Sequence, residues 1–144
     1  MAETTLGKVF FAEALKGYTL KVMIDSLSLA MPRTIFEAKK TGLYHRRSND
    51  GEYILYDIDF PRENFKPYVC RKELAFSVNI KHLQKMVRNV KKKDSVTLYI
   101  NKNRLDRLYV AIRPTGASSG YNSRLEDLYV TIRRAKEEEL VQVG

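Results

Sequence analysis

Lys81, Lys85, Arg88 and Lys92 fall at i, i+4, i+7 and i+11, a spacing that puts all four on one side of an α-helix. Lys91 and Lys93 flank the row. Like charges at that pitch repel one another by a few tenths of a kcal/mol per pair. A phosphate backbone offsets that repulsion by accepting the charges and releasing its counterions. A helix built to read base edges would carry Asn, Gln or Arg at groove-entering positions among aromatic or small neighbours. A row made almost wholly of Lys and Arg suits backbone contact without sequence preference. Spacing alone is equally consistent with a solvated charged face on an ordinary helix.

Other residues bear on catalysis, and each has a plainer reading. Asp57 and Asp59 lie two apart with Glu63 nearby, the beginning of a magnesium site, but paired carboxylates on a strand are usually a solvated face. Cys70 with His45 or His82 would make a nucleophile pair, although a lone Cys among apolar neighbours is usually a core thiol. One Cys and two distant His do not make a zinc ligand set. Phosphate-binding glycine loops and the strained serine turn of hydrolases are absent from the sequence. The expectation is a non-enzymatic protein with no metal and no cofactor. Tyr44, Tyr68 and Tyr99 offer stacking surfaces for a single-strand nucleic-acid binder, though aromatics in strands are usually core or cross-strand pairs.

The elements that must position these residues show in the hydrophobic periodicity. Leu20, Met23, Ile24, Leu27 and Met31 recur at helical pitch, as do Leu83, Met86, Val87 and Val90. These predict helices over Tyr18–Met31, entered at Gly17 and stopped by Pro32, and over Lys81–Val90. On the outer face of the first, Lys21 is joined by Asp25 and Ser28, so that face is less one-sided. Elsewhere the period is two: strands are predicted at Val9–Leu15, Arg33–Ala38, Leu43–Ser48, Tyr53–Phe60, Leu74–Asn79, Ser95–Ile100, Leu108–Ile112 and Leu128–Ile132. Asn49-Asp50-Gly51 and Asn101-Lys102-Asn103 are turns, and residues 114–123 read as a loop. The order is strand, helix, three strands, then the same again. Two such units are expected to join their sheets and lay both helices on one face, an α+β fold.

Composition agrees with a polyanionic partner. The 144 residues hold 26 Lys plus Arg against 17 Asp plus Glu, a net charge of +9, and nucleic acid is the first candidate. Apolar runs of about five residues are far short of the roughly 20 that a spanning helix needs. The N-terminus lacks the basic and apolar regions of a signal peptide, and a single Cys suggests a reducing, intracellular compartment. No membrane partner is expected.

From Gly42-Leu43-Tyr44 through Phe65-Lys66-Pro67-Tyr68-Val69-Cys70-Arg71, the chain resembles the N-terminal domain of eukaryotic-type DNA sliding clamps, the proliferating cell nuclear antigen family. The resemblance tightens through Leu74-Ala75-Phe76-Ser77-Val78-Asn79-Ile80-Lys81-His82-Leu83-Gln84-Lys85-Met86 and Asp94-Ser95-Val96-Thr97-Leu98-Tyr99, and covers roughly residues 8–143. It implies a DNA-clamp fold, sheets outside and helices lining a hole that duplex DNA threads, over residues 1–132, with 133–144 beginning an interdomain connector. It also implies a polymerase processivity factor that assembles into a ring, is placed by a clamp loader, and docks polymerase and other clamp-binding peptides at sites of replication (the nucleus, for a cellular protein). A checkpoint-type clamp subunit shares the fold. By position, Lys21, Lys85 and Arg88 match DNA-facing residues; Lys81 and Lys92 join them by spacing. Val22 stands where the family often has a second Lys. Tyr53 and Leu55 match the pocket that takes partner peptides, with Leu140 and Val143 extending it and Ser48 replacing a usual large apolar residue. The strand Leu125–Ile132, with Leu128, Val130 and Ile132 alternating, is expected to be an edge that pairs with a neighbouring subunit.

Overall fold

The structure, a computed structural model, describes residues 5–46, 58–114 and 128–136. In chain order the elements are β1 (Lys8–Ala14), α1 (Gly17–Ala30), β2 (Arg33–Lys39), β3 (Gly42–Arg46), β4 (Ile58–Pro61), a 3-10 turn (Arg62–Asn64), β5 (Tyr68–Cys70), β6 (Leu74–Asn79), α2 (Ile80–Val87), β7 (Asp94–Asn101), β8 (Arg104–Pro114) and β9 (Leu128–Arg134). The predicted strands and both helices are present where they can be seen, and the fold is α+β. Residues 47–57 of the predicted Leu43–Ser48 and Tyr53–Phe60 strands lie outside the described residues.

The strands form one nine-stranded antiparallel sheet in the order β4-β3-β2-β6-β9-β8-β7-β1-β5. Each repeat unit therefore gives its first strand to the other: β6 of the second unit lies against β2, with Phe76 opposite Phe36. Likewise β1 of the first lies against β7, with Phe11 opposite Tyr99. The period-two alternation turns one face of every strand inward. Phe10, Phe36, Phe76, Leu98, Leu108 and Val130 meet Leu20, Ile24 and Leu27 of α1 and Leu83 and Val87 of α2 in one buried cluster. Both helices thus cover the same concave face of the sheet, and α1 packs against α2 as well as against β7.

Local chemistry fixes where the helices begin. A Cβ on Gly17 would come 2.6 Å from Val96 Cγ2 and 2.9 Å from the Asp94 carbonyl oxygen, so α1 starts against β7 only because this residue has no side chain. The α2 helix opens on Asn79, whose Oδ1 accepts from the His82 N–H at 3.1 Å and satisfies one of the otherwise orphaned donors.

Three expectations need correction. The second helix ends at Val87 and turns over Arg88 and Asn89, whereas its apolar spacing runs to Val90. Val90 is buried from the turn, its N–H donating to the Val87 carbonyl at 3.0 Å, so an apolar residue at helical pitch reaches the core without helix. The strand β5 has no counterpart among the predicted strands; three residues are too few to show alternation. The third is β9, expected as an edge. It lies inside the sheet order: Leu128, Tyr129, Val130 and Thr131 face β8, and Ile132, Arg133 and Arg134 stand opposite Val78, Ser77 and Phe76 on β6. Its alternation correctly reports one buried face, but says nothing about whether its backbone edges are taken.

Candidate nucleic-acid interface

Ile80, Leu83 and Val87 fix the inner side of α2, each at most 1% exposed. Helical geometry then turns Lys81, Lys85 and Arg88 the other way, and all three are exposed. Arg88 keeps right-handed helical backbone at the C-cap, so it continues the row. Among the described residues no carboxylate pairs with Lys85 or Arg88. Two cations near a helix C-terminus also gain from the negative end of its dipole.

Lys92 is displaced from that row. It sits in the turn before β7, which is closed by the Lys91 N–H donating to Asp94 Oδ2 at 2.8 Å and the Asp94 N–H donating to the Lys91 carbonyl at 2.9 Å. The helical pitch that would align Lys92 with Lys81 stops well short of it, at Val87. Lys91, Lys92 and Lys93 are all exposed there and make a separate basic tip.

The first helix contributes differently from its sequence. Lys21 is only 16% exposed at its side chain, and its ammonium lies 2.5 Å from Asp25 Oδ2 and 5.7 Å from the centre of the Tyr18 ring. Asp25 Oδ1 in turn accepts from Gln84 Nε2 on α2 at 3.1 Å, and Lys81 Nζ reaches back to the Ser28 carbonyl on α1 at 3.1 Å. Lys21, Asp25, Ser28, Lys81 and Gln84 thus form a polar seam between the helices. The open ridge of α1 is Val22, Ser26 and Leu29, with Leu29 89% exposed. The i, i+4 spacing of Lys21 and Asp25 can be read from the sequence. Their tie to Gln84 depends on how two helices register, which no local pattern encodes.

The other expected sites divide in two. Tyr53, Leu55, Leu140 and Val143, expected to dock peptides, lie outside the described residues, as does Asp57. Of the expected subunit-interface residues, Val130 and Ile132 are each 3% exposed and point into the core, and Leu128 is 53% exposed. Leu128 through Arg133 form one wall of a groove of about 660 Å³ whose other wall includes Arg33, His82, Lys85 and Met86. Among the described residues, the first half of β9 pairs only with β8, and Leu128 through Thr131 line this groove.

The rival chemistries find little support. Cys70 donates to the Ala38 and Lys72 carbonyls at 3.5 Å, and burial pushes its thiol above the ordinary range, away from a nucleophilic thiolate. His45 is buried against Thr34 and Phe36. Tyr68 gives its hydroxyl to the Lys39 carbonyl and sets its ring against Phe10 and Phe65. Tyr99 stacks in parallel on Tyr109, ring centres 5.0 Å apart. These rings serve packing. No group of three or more His, Cys, Asp or Glu that could hold a metal ion is found among the described residues.

Residues 9–132 match the family model described as proliferating cell nuclear antigen, N-terminal domain. The DNA polymerase sliding clamp of Cenarchaeum symbiosum is 28% identical over 116 residues, 81% of this chain and 45% of that protein. DNA polymerase sliding clamp 1 of Pyrobaculum aerophilum is 31% identical over 83 residues, 58% of this chain and 33% of that protein. A probable DNA polymerase sliding clamp of Autographa californica nuclear polyhedrosis virus is 26% identical over 90 residues, covering 62% and 35%. The chain therefore spans less than half the length of each of these relatives.

Proposed function

Because this chain belongs to the family of proliferating cell nuclear antigen N-terminal domains, we propose that it is the first domain of a sliding clamp, a non-enzymatic processivity factor that encircles duplex DNA for a polymerase. The observation that carries the reading is the exposed pair Lys85 and Arg88, with no carboxylate partner among the described residues, on a helix whose opposite side is buried. Long cationic side chains touching phosphates hold DNA without reading it, and each contact exchanges readily, so the protein slides. Enclosure keeps such a protein on DNA; affinity need not. Lys81 and Lys92 are secondary contacts in this reading; Lys21, paired with Asp25, adds no contact while that pair holds.

A single domain touches few phosphates, so duplex affinity is expected to be weak, with a Kd on the order of 10⁻⁴ M or weaker at physiological salt. Charge reversal at both Lys85 and Arg88 is expected to weaken duplex binding at low salt. It should also flatten the slope of log K against log salt by about 0.9 for each phosphate no longer neutralised, with the thermal melt unchanged. Fluorescence anisotropy on a labelled duplex across a salt series measures this. Equal affinity and slope in the reversed variant would reject the reading.

Residues 133–144 begin the connector to a further domain in this proposal. Tyr53, Leu55, Leu140 and Val143 take partner peptides such as a polymerase tail, and a clamp loader closes the ring on DNA during replication and repair. Leu55→Asp is expected to weaken a clamp-binding peptide by about tenfold or more while leaving the duplex salt slope alone, because a carboxylate in an apolar pocket is costly to desolvate. Unchanged peptide affinity by calorimetry would remove Leu55 from that role. Ring closure would use the first half of the β9 edge, with Leu128 at the groove mouth and Val130 and Ile132 holding the strand to the core beneath it. Its test is the oligomeric state by analytical ultracentrifugation when Leu128 is changed to Arg: an unchanged distribution in a chain that does associate would exclude this edge.

A further inference from the structure

We propose that Asp25 sets the strength of the grip on DNA by holding Lys21 in reserve. The inference rests on the helices being the DNA-facing surface. The Asp25 carboxylate uses both oxygens, one on the Lys21 ammonium of its own helix and the other on Gln84 of the neighbouring helix. Two donors on two elements fix it in place. Lys21 is therefore drawn down into the seam, beside the Tyr18 ring, and only 16% of its side chain is exposed. A phosphate must compete with a carboxylate already in place before it gains this cation.

A carboxylate here lowers the net charge of the helical face by one and removes one candidate phosphate contact. The pair also spares the fold the burden of a bare cation, since Lys21 and Asp25 neutralise each other where solvent is partly excluded. The exposed ridge beside them, Val22, Ser26 and Leu29, is neutral. The first helix therefore meets DNA with little attraction of its own, and the cations of α2 supply the hold. A weaker, one-sided hold favours movement along the duplex, because each retained phosphate contact must be broken and remade at every step.

The test compares the 144-residue chain with Asp25→Asn, Gln84→Ala, Lys21→Met and the Asp25→Asn/Lys21→Met pair, on a labelled duplex over about 50–200 mM salt. Asp25→Asn keeps the shape and a hydrogen-bond acceptor while removing the charge. It is expected to steepen the salt slope by about 0.9, equivalent to about 3-fold greater weakening over that salt range, and to tighten binding at the low-salt end. Lys21→Met should be nearly silent alone and should abolish the gain in the Asp25→Asn background. Gln84→Ala, which loosens the seam without changing charge, should leave the slope unchanged; a purely structural role for the seam would move the melt and not the slope. An unchanged slope in Asp25→Asn, or a gain that persists after Lys21→Met, overturns the proposal while the α2 reading stands. If charge reversal at Lys85 and Arg88 also does nothing, the DNA-facing reading itself falls and takes this inference with it.

Discussion

Asn79 illustrates how much one side chain can decide. Its position between an apolar strand and the cationic helix, and its bond to the His82 N–H, set the residue at which α2 begins and so the side on which Lys85 and Arg88 emerge. Asn79→Ala is expected to cost about 1 kcal/mol, read as a shift in the urea midpoint with an unchanged m-value. A cost near zero would mean that packing of Ile80 and Leu83 alone places the helix. Among the cations, Lys85 and Arg88 are legible from spacing, because a helical repeat over eight residues survives in the structure. Lys92 is not, because pitch carries meaning only as far as the helix lasts. Likeness to a family raises the expectation of Lys21 on the DNA side, and its i, i+4 pairing with Asp25 is legible in the sequence. Its withdrawal into the seam requires knowing what lies across from it.

For elements, the sequence is most informative where a segment is long and one-sided. Both helices and the long strands follow from apolar period, since burial of one face is what selects that period. Two kinds of fact escape it. Very short segments such as β5 have too few residues to alternate, and its place beside β1 comes from the pairing of Phe10, Phe11 and Ala12 with Cys70, Val69 and Tyr68. Backbone edges also leave no trace in side-chain order: β9 reads the same whether its neighbours are one strand, two, or another subunit. Here it changes partner partway, from β8 to β6, so among the described residues its first half has no second strand beside it. The groove along that half has cations from β2, α2 and β9 in its walls, a placement that depends on three separate elements meeting.

At the scale of the whole molecule, the two units are legible as repeats, and their joined sheets follow from the need to bury two amphipathic helices. The exchange of first strands does not, because strand order is a long-range property. It has a direct consequence for folding. Neither unit holds a complete set of neighbours for its own strands: β1 needs β7, and β6 needs β2. Separate fragments covering residues 1–66 and 67–144 are therefore expected to be largely unfolded alone and to regain sheet and helix when mixed. Circular dichroism on each fragment and on their equimolar mixture measures this, and a fragment that melts cooperatively by itself would contradict it. The same exchange bears on mechanics. The first strand of the chain is bracketed by β5 and β7, and β9 is held by β8 along one half and by β6 along the other. Tension on the first strand is thus shared between two ladders, whereas on β9 it meets one ladder at a time.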